Sequence, residues 1–199
     1  MAYSKFTYEK IEQELGIYFD SAHLFQGELP DVPIDDWLTK TLEMGKPFAT
    51  LSEKARSENL VHPILMYLCT YNQYQFSVYS GIELNVDAEQ DLNGECDFML
   101  AKGEPNPRLN MPLFCLIEAK DQDIKRAVPQ CVAQLYAATL HNQKRGHHFP
   151  YLYGCVTTGE TWCFLKLAEK TCWIDVDRYY HLQLKDLLGV LQSIVNGYK

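Results

Sequence analysis

What this chain lacks narrows its class before any motif is read. No apolar run approaches the ~20 residues that a membrane-spanning helix needs. The opening "MAYSKFTYEKIEQELG" has no continuous apolar segment of the kind a secretory leader carries. A soluble, cytoplasmic protein is the expectation. The seven cysteines (Cys69, Cys96, Cys115, Cys131, Cys155, Cys163 and Cys172) include no C-x-x-C pair, and their number is odd. That spacing indicates neither a zinc cluster nor a disulfide framework and leaves reduced thiols acting as small hydrophobes. His147 and His148 are adjacent, and neighbouring side chains on an extended chain point apart, so they read as loop residues rather than metal ligands. Internal repeats and low-complexity tracts are absent. So is any excess of positive charge, since the formal net charge is -8. An acidic chain makes a poor sequence-independent coat for nucleic acid. It still admits an enzyme acting on nucleic acid, because catalytic carboxylates with a bound divalent ion change the local field.

What is present is enough for one domain: 199 residues, 47% of them hydrophobic. A helix is predicted over about Tyr8 to Leu15, stopped by Gly16, and a second from near Asp35 to just before Gly45. "LPDVPIDD" reads as the loop between them. Thr50 and Glu53 match a T-x-x-E capping box, which would start a third helix with Ala55, Leu60, Ile64, Tyr67 and Leu68 as its apolar stripe and a kink at Pro63. The hydrophobic period then changes to two in "QFSVYSGIELNVDA" and "GECDFMLA", which read as strands. "KGEPNPRLNMP" is a loop, "LFCLIEAK" the next strand, and "RAVPQCVAQLYAATLHNQ" a helix that tolerates Pro129 in its first turn. "YLYGCVTT" and "TWCFLKLAE" follow as strands around a Thr158-Gly159-Glu160 turn, then a short strand "TCWIDV" and the amphipathic helix "LKDLLGVLQSIV". This order predicts an α/β domain with a mixed sheet.

The chemistry gathers at the end of "LFCLIEAK". A strand this apolar is buried, yet it runs into Glu118, Ala119 and Lys120. Alternation places Glu118 and Lys120 on one face with Leu116, and in "GECDFML" places Glu95 and Asp97 together. If the two strands pair, Asp97 and Glu118 meet at one edge of the sheet. Two adjacent carboxylates raise each other's pKa unless a positive charge sits between them. A divalent cation is one solution, and magnesium takes one or two carboxylates plus water and phosphate oxygens. Lys120 would add a point charge beside developing negative charge.

Asp97 followed by Glu118-x-Lys120 resembles the D…(D/E)-x-K signature of the PD-(D/E)XK nuclease superfamily. The element order resembles that superfamily's restriction-endonuclease-like αβββαβ core, a mixed central sheet flanked by helices, here with extra N-terminal helices. "SEKARSENLVHPIL", with Glu53, is similar to its acidic N-terminal helix, and "VPQCVAQLYAA" to its glutamine-bearing helix. "YGCVTTGETWCFLKL" is similar to the strand-turn-strand that closes many such domains. The resemblance covers roughly Thr50 to Leu167. It divides the single domain into a helical extension (1–49), a nuclease-like core (50–175) and a C-terminal helix (176–199). Cys96 stands where the signature's proline would be, and the step from Asp97 to Glu118 is long.

The resemblance implies a nuclease that uses Mg²⁺ or Mn²⁺ to hydrolyse phosphodiester bonds. Asp97, Glu118 and the Ala119 backbone carbonyl would hold the metal, Lys120 would orient or activate water, Glu53 would assist, and Gln130 would position water or Lys120. Arg56, Lys125, Arg126 and Gln134 are candidate substrate contacts. The implied partner is nucleic acid, DNA first, with a homodimer as one way to bring a site to each strand. Each residue also has an ordinary reading: a strand-rim ion pair for Glu118 and Lys120, a helix cap for Glu53, edge amides for Gln130 and Gln134, solvated charges for Lys125 and Arg126. The alternative function, supported by the acidic net charge and by the absence of a helix-turn-helix or zinc-finger signature, is a catalytically silent nuclease-like fold acting as a binding module.

Overall fold

The computed structural model describes residues 2–120 and 123–198. Helix α1 (Tyr8–Lys10) is capped by Thr7, whose side chain accepts the Lys10 N–H, and passes into a π-helical turn at Ile11–Leu15 that ends on Gly16 at φ 63°. Strand β1 (Tyr18–Ala22) follows. Helix α2 (Asp36–Gly45) starts at Asp35, whose carboxylate accepts the Leu38 N–H. Helix α3 (Glu53–Arg56), a π-helical turn at Ser57–Val61 and helix α4 (His62–Tyr71) then form one irregular rod. Strands β2 (Phe76–Glu83), β3 (Glu95–Lys102) and β4 (Leu113–Ala119) come next, then helix α5 (Ile124–Gln143). Strands β5 (Leu152–Thr157), β6 (Thr161–Ala168), β7 (Thr171–Asp175) and β8 (Tyr179–Tyr180) precede the final helix, α6 (Leu184–Asn196).

All eight strands join one sheet, in the order β1-β7-β6-β5-β4-β3-β2 with β8 added on β6. β2, β3 and β4 form an antiparallel meander, and α5 then crosses over so that β5 lies parallel to β4. That crossover puts the C-terminal ends of β4 and β5 at the same edge of the sheet. α5 packs on β4 and β5. α4 and α6 pack on one another over the opposite face. β4 is buried at every position, as its unbroken apolar run demands. All seven cysteines are free and buried. Among the described residues no helix is long and apolar enough to cross a membrane.

Three expectations are corrected, and a fourth is made specific. The extension 1–49 is not purely helical: Tyr18–Ala22 is an edge strand, parallel to β7. Its sequence YFDSA alternates too weakly to announce a strand, and backbone pairing with β7 supplies what periodicity does not. The segment after residue 175 likewise contains β8, only two residues long. The third helix is capped by Ser52, which accepts the Ala55 N–H, whereas Thr50 bonds the Pro47 carbonyl. Both are hydroxyl residues near the same helix start, and the local chain direction selects between them. Finally, the break expected at Pro63 takes the form of a π-helical turn at Ser57–Val61 just before it, with Pro63 in the first turn of α4.

Gly154 sets how closely α5 approaches the sheet. A Cβ there would lie 2.7 Å from Leu135 Cδ1 and 3.0 Å from Cys131 Sγ. We expect Gly154→Ala to cost about 1–3 kcal/mol of stability through overpacking, read as a lower urea midpoint. An unchanged midpoint would show that α5 is not held this tightly.

Candidate active site

The register of β3 against β4 places Phe98 opposite Ile117 and Met99 opposite Leu116. One residue further along, Asp97 comes level with Glu118. Asp97 Oδ2 accepts the Ala119 N–H at 2.7 Å. In an extended residue the N–H and C=O point to the same side, so the Ala119 carbonyl faces the β3 side as well. The Lys120 N–H continues the pairing of β4 with β5 by donating to the Thr157 carbonyl at 2.8 Å, which fixes the base of the lysine. α3 brings Glu53 to the same edge, and its Oε1 lies 3.6 Å from Lys120 Nζ.

Glu118 lies beneath the others and is 1% exposed. Its carboxylate is held from three directions. Lys120 Nζ lies 2.7 Å from Oε1, the Gln130 amide donates to the same oxygen, and the Gln134 amide donates to Oε2 at 2.7 Å. The two glutamines stand one turn apart on α5, both buried, and reach down to one carboxylate. Gln134 Oε1 is itself buried without a donor. Burial is the main reason the Glu118 carboxyl is pushed up to about 7; the nearby Asp97 charge adds to it, and Lys120 opposes it. Asp97 is raised as well, chiefly by burial, against the pull of the Ala119 N–H and the Lys120 charge. For Lys120, burial works against the ammonium, but Glu118, Glu53 and Asp97 outweigh it, and the net direction is upward.

Above this group opens a cleft of about 460 Å³ lined by Glu53, Lys54, Ser57, Glu58, Ser80, Gly81, Glu95, Asp97 and Ala119. Sequence reasoning singled out Asp97, Glu118, Lys120, Glu53, Gln130 and Ala119, and the fold brings all six to this edge. Gln134, expected as a substrate contact, donates to Glu118, and Gln130 donates to the Glu118 oxygen that Lys120 Nζ also approaches. The other three candidates, Arg56, Lys125 and Arg126, are not among the residues that line the cleft. The Arg56 side chain packs on the β5–β6 turn, with its Cγ 2.7 Å from where a Gly159 Cβ would sit. Arg126 is exposed and pairs with Asp123 at 3.2 Å. Lys125 is exposed and its carbonyl accepts the Tyr8 hydroxyl. Glu58 in the cleft wall was missed. Its only sequence signal is its place on the same helical rod as Glu53.

The cleft-lining groups that could ligate a cation are oxygens: the Asp97 and Glu53 carboxylates and the Ala119 carbonyl. Such hard ligands suit magnesium, which needs few protein groups when water and phosphate complete its shell. Among the described residues no cluster of three or more His, Cys, Asp or Glu is gathered as a metal cage. Glu118 could ligate only if Lys120 moved off its Oε1. Compared with known proteins, the chain matches no family model, and no curated protein is similar to it.

Because the folded state holds a proton on Glu118 more tightly than the unfolded chain does, the stability this group contributes is full at acid pH and is lost as pH rises through about 7. We therefore expect urea-unfolding free energy, measured in chelator from about pH 5 to 8, to fall with pH in the wild type relative to Glu118→Gln. Parallel profiles for the two proteins would contradict this environment for Glu118.

Proposed function

We propose that the protein is a magnesium-dependent nuclease that hydrolyses phosphodiester bonds at this cleft. The observation that carries the reading is the meeting of Asp97, Glu118 and Lys120, with Glu53, where an antiparallel meander and a parallel crossover strand end together. The element order through α4, β2, β3, β4, α5 and β5 agrees with a restriction-endonuclease-like core, which supports the resemblance without establishing activity. The cleft wall carries four carboxylates and one lysine, Lys54. Left alone, that charge repels a phosphate, so a cation role belongs with the reading.

A bound magnesium ion would supply Lewis-acid polarisation of the phosphoryl oxygen and a more acidic water. Asp97 and the Ala119 carbonyl would hold it, with Glu118 joining as Lys120 turns outward. Lys120, whose side chain is 27% exposed at the cleft edge, would then donate from Nζ to the attacking water or to the charge growing on phosphorus-bound oxygen. Glu53, 3.6 Å from that amine, keeps Lys120 charged as it moves. Gln130 and Gln134 continue to hold Glu118 and so fix its orientation. DNA is the proposed substrate.

One observation favours a second reading, a silent nuclease-like binding module: every hydrogen-bonding direction of Glu118 that the structure shows is already taken by Lys120, Gln130 or Gln134. The two readings separate on cleavage. We expect Mn²⁺- or Mg²⁺-dependent cleavage of plasmid or single-stranded DNA, reduced by about 10²–10³-fold in Asp97→Ala and in Lys120→Ala. Equal activity in wild type and both variants would reject the site, and absence of cleavage with no Mn²⁺-induced rise in melting temperature would favour the silent module.

A further inference from the structure

The segment leading into α3 carries two apolar rows, and the core uses one of them. Helix α2 ends at Gly45, but the backbone stays in the right-handed helical region at Lys46 (φ -51°, ψ -45°), Pro47 (φ -61°, ψ -34°) and Leu51 (φ -80°, ψ -36°). Residues 36–51 therefore make one nearly continuous rod, about 24 Å long. Its inner side is Leu38, Leu42, Gly45 and Ala49, all buried. Beside it run Ile34, Trp37, Thr41, Met44, Phe48 and Leu51, apolar except for Thr41. Their steps alternate between three and four residues, the spacing of a seam between two helices. Ile34, just before the Asp35 cap, is 42% exposed, Trp37 45%, Met44 74%, Phe48 58% and Leu51 74%. Thr41 is half-buried.

Single exposed apolar side chains are ordinary and need no partner. A whole row in seam spacing is a different matter. The five apolar members leave on the order of 500 Å² in water, toward the upper end of the patches that monomers carry. Two copies together would cover on the order of 1,000 Å², the size at which a specific interface begins. The row is also complementary to itself. A second copy set antiparallel about a two-fold axis between Leu42 and Glu43 brings Ile34 to Leu51, Trp37 to Phe48 and Thr41 to Met44, each contact occurring twice. That puts ring against ring, and the smallest side chain against the long, adaptable methionine. Charge agrees with this register. Lys40 and Glu43 are exposed on the same flank of the row, and the axis brings the lysine of each copy within a turn of the glutamate of the other. Lys40 pairs within its own helix with Asp36 at 3.3 Å, but both side chains are largely in water, so that contact is weak and leaves the lysine able to change partner.

We propose that this row is a self-association surface, through which two copies of the chain pair antiparallel along residues 34–51. The pairing does not depend on the nuclease reading. Leu51 lies two residues before Glu53, so the antiparallel arrangement places one carboxylate cleft at each end of the paired rods.

The test is sedimentation velocity of the full chain in EDTA from about 1 to 100 μM, the range expected of an interface this small. A shift from monomer to dimer across that range is expected. Met44→Glu, at a largely exposed position, should weaken the dimer at least about tenfold by burying a charge in the seam. Lys40→Glu and Glu43→Lys should each weaken it several-fold, and the double variant should restore it, because the axis sets one residue against the other. Melting curves matched to wild type qualify each variant. A dimer indifferent to Met44→Glu, or single charge variants that the double variant does not rescue, would overturn the proposal. A monomer at every concentration would overturn it too, and would leave the row to a different protein.

Discussion

A buried carboxylate needs partners, and that requirement organises this protein around Glu118. An ion taken out of water costs several kcal/mol unless its hydrogen bonds are replaced. Here the replacement comes from three positions close by in sequence: Lys120 just past the end of the same strand, and Gln130 and Gln134 one turn apart on the following helix. Meeting the requirement fixes where α5 lies on the sheet. Gly154 permits the approach by leaving room for Leu135 and Cys131. The parallel crossover then brings β5 to the same edge, where the Thr157 carbonyl receives the Lys120 N–H.

Such a cluster is poised rather than merely stable. Glu118 is pushed up by burial and by Asp97, while Lys120 is drawn toward its charged form by three acids. Both groups are displaced upward, which favours a neutral carboxyl and a charged amine; perturbed groups in a cleft are a feature of catalytic sites and of structural ion pairs alike. What tips the balance here is access. Asp97, Glu53 and Ala119 line an open cleft directly above the pair, so charge brought by a ligand can reorganise it.

Much of this was legible in the sequence. The switch from helical to alternating period located β2 to β6, and the apolar run ending in Glu118 marked the central strand. Side-chain alternation was enough to put Asp97 and Glu118 within reach of each other. Other features were not legible for physical reasons. β1 and β8 are held by pairing rather than by their own patterns, so no periodicity reveals them. The cap at Ser52 rather than Thr50 depends on chain direction. Gln134 was readable as sharing a face with Gln130, but that both amides converge on one carboxylate is a property of the helix-to-sheet distance, which Gly154 sets. Arg56 carries the right charge for substrate, but its alkyl stem packs on Gly159 of the β5–β6 turn, a contact between segments distant in sequence that no local pattern shows.

Whether this edge of the sheet receives a divalent cation can be read from crystals soaked in Mn²⁺ and measured for anomalous scattering. We expect a peak bound by the Asp97 carboxylate and the Ala119 carbonyl, with Lys120 Nζ moved away from Glu118. A peak elsewhere only, or none with Lys120 still seated on Glu118, would contradict it.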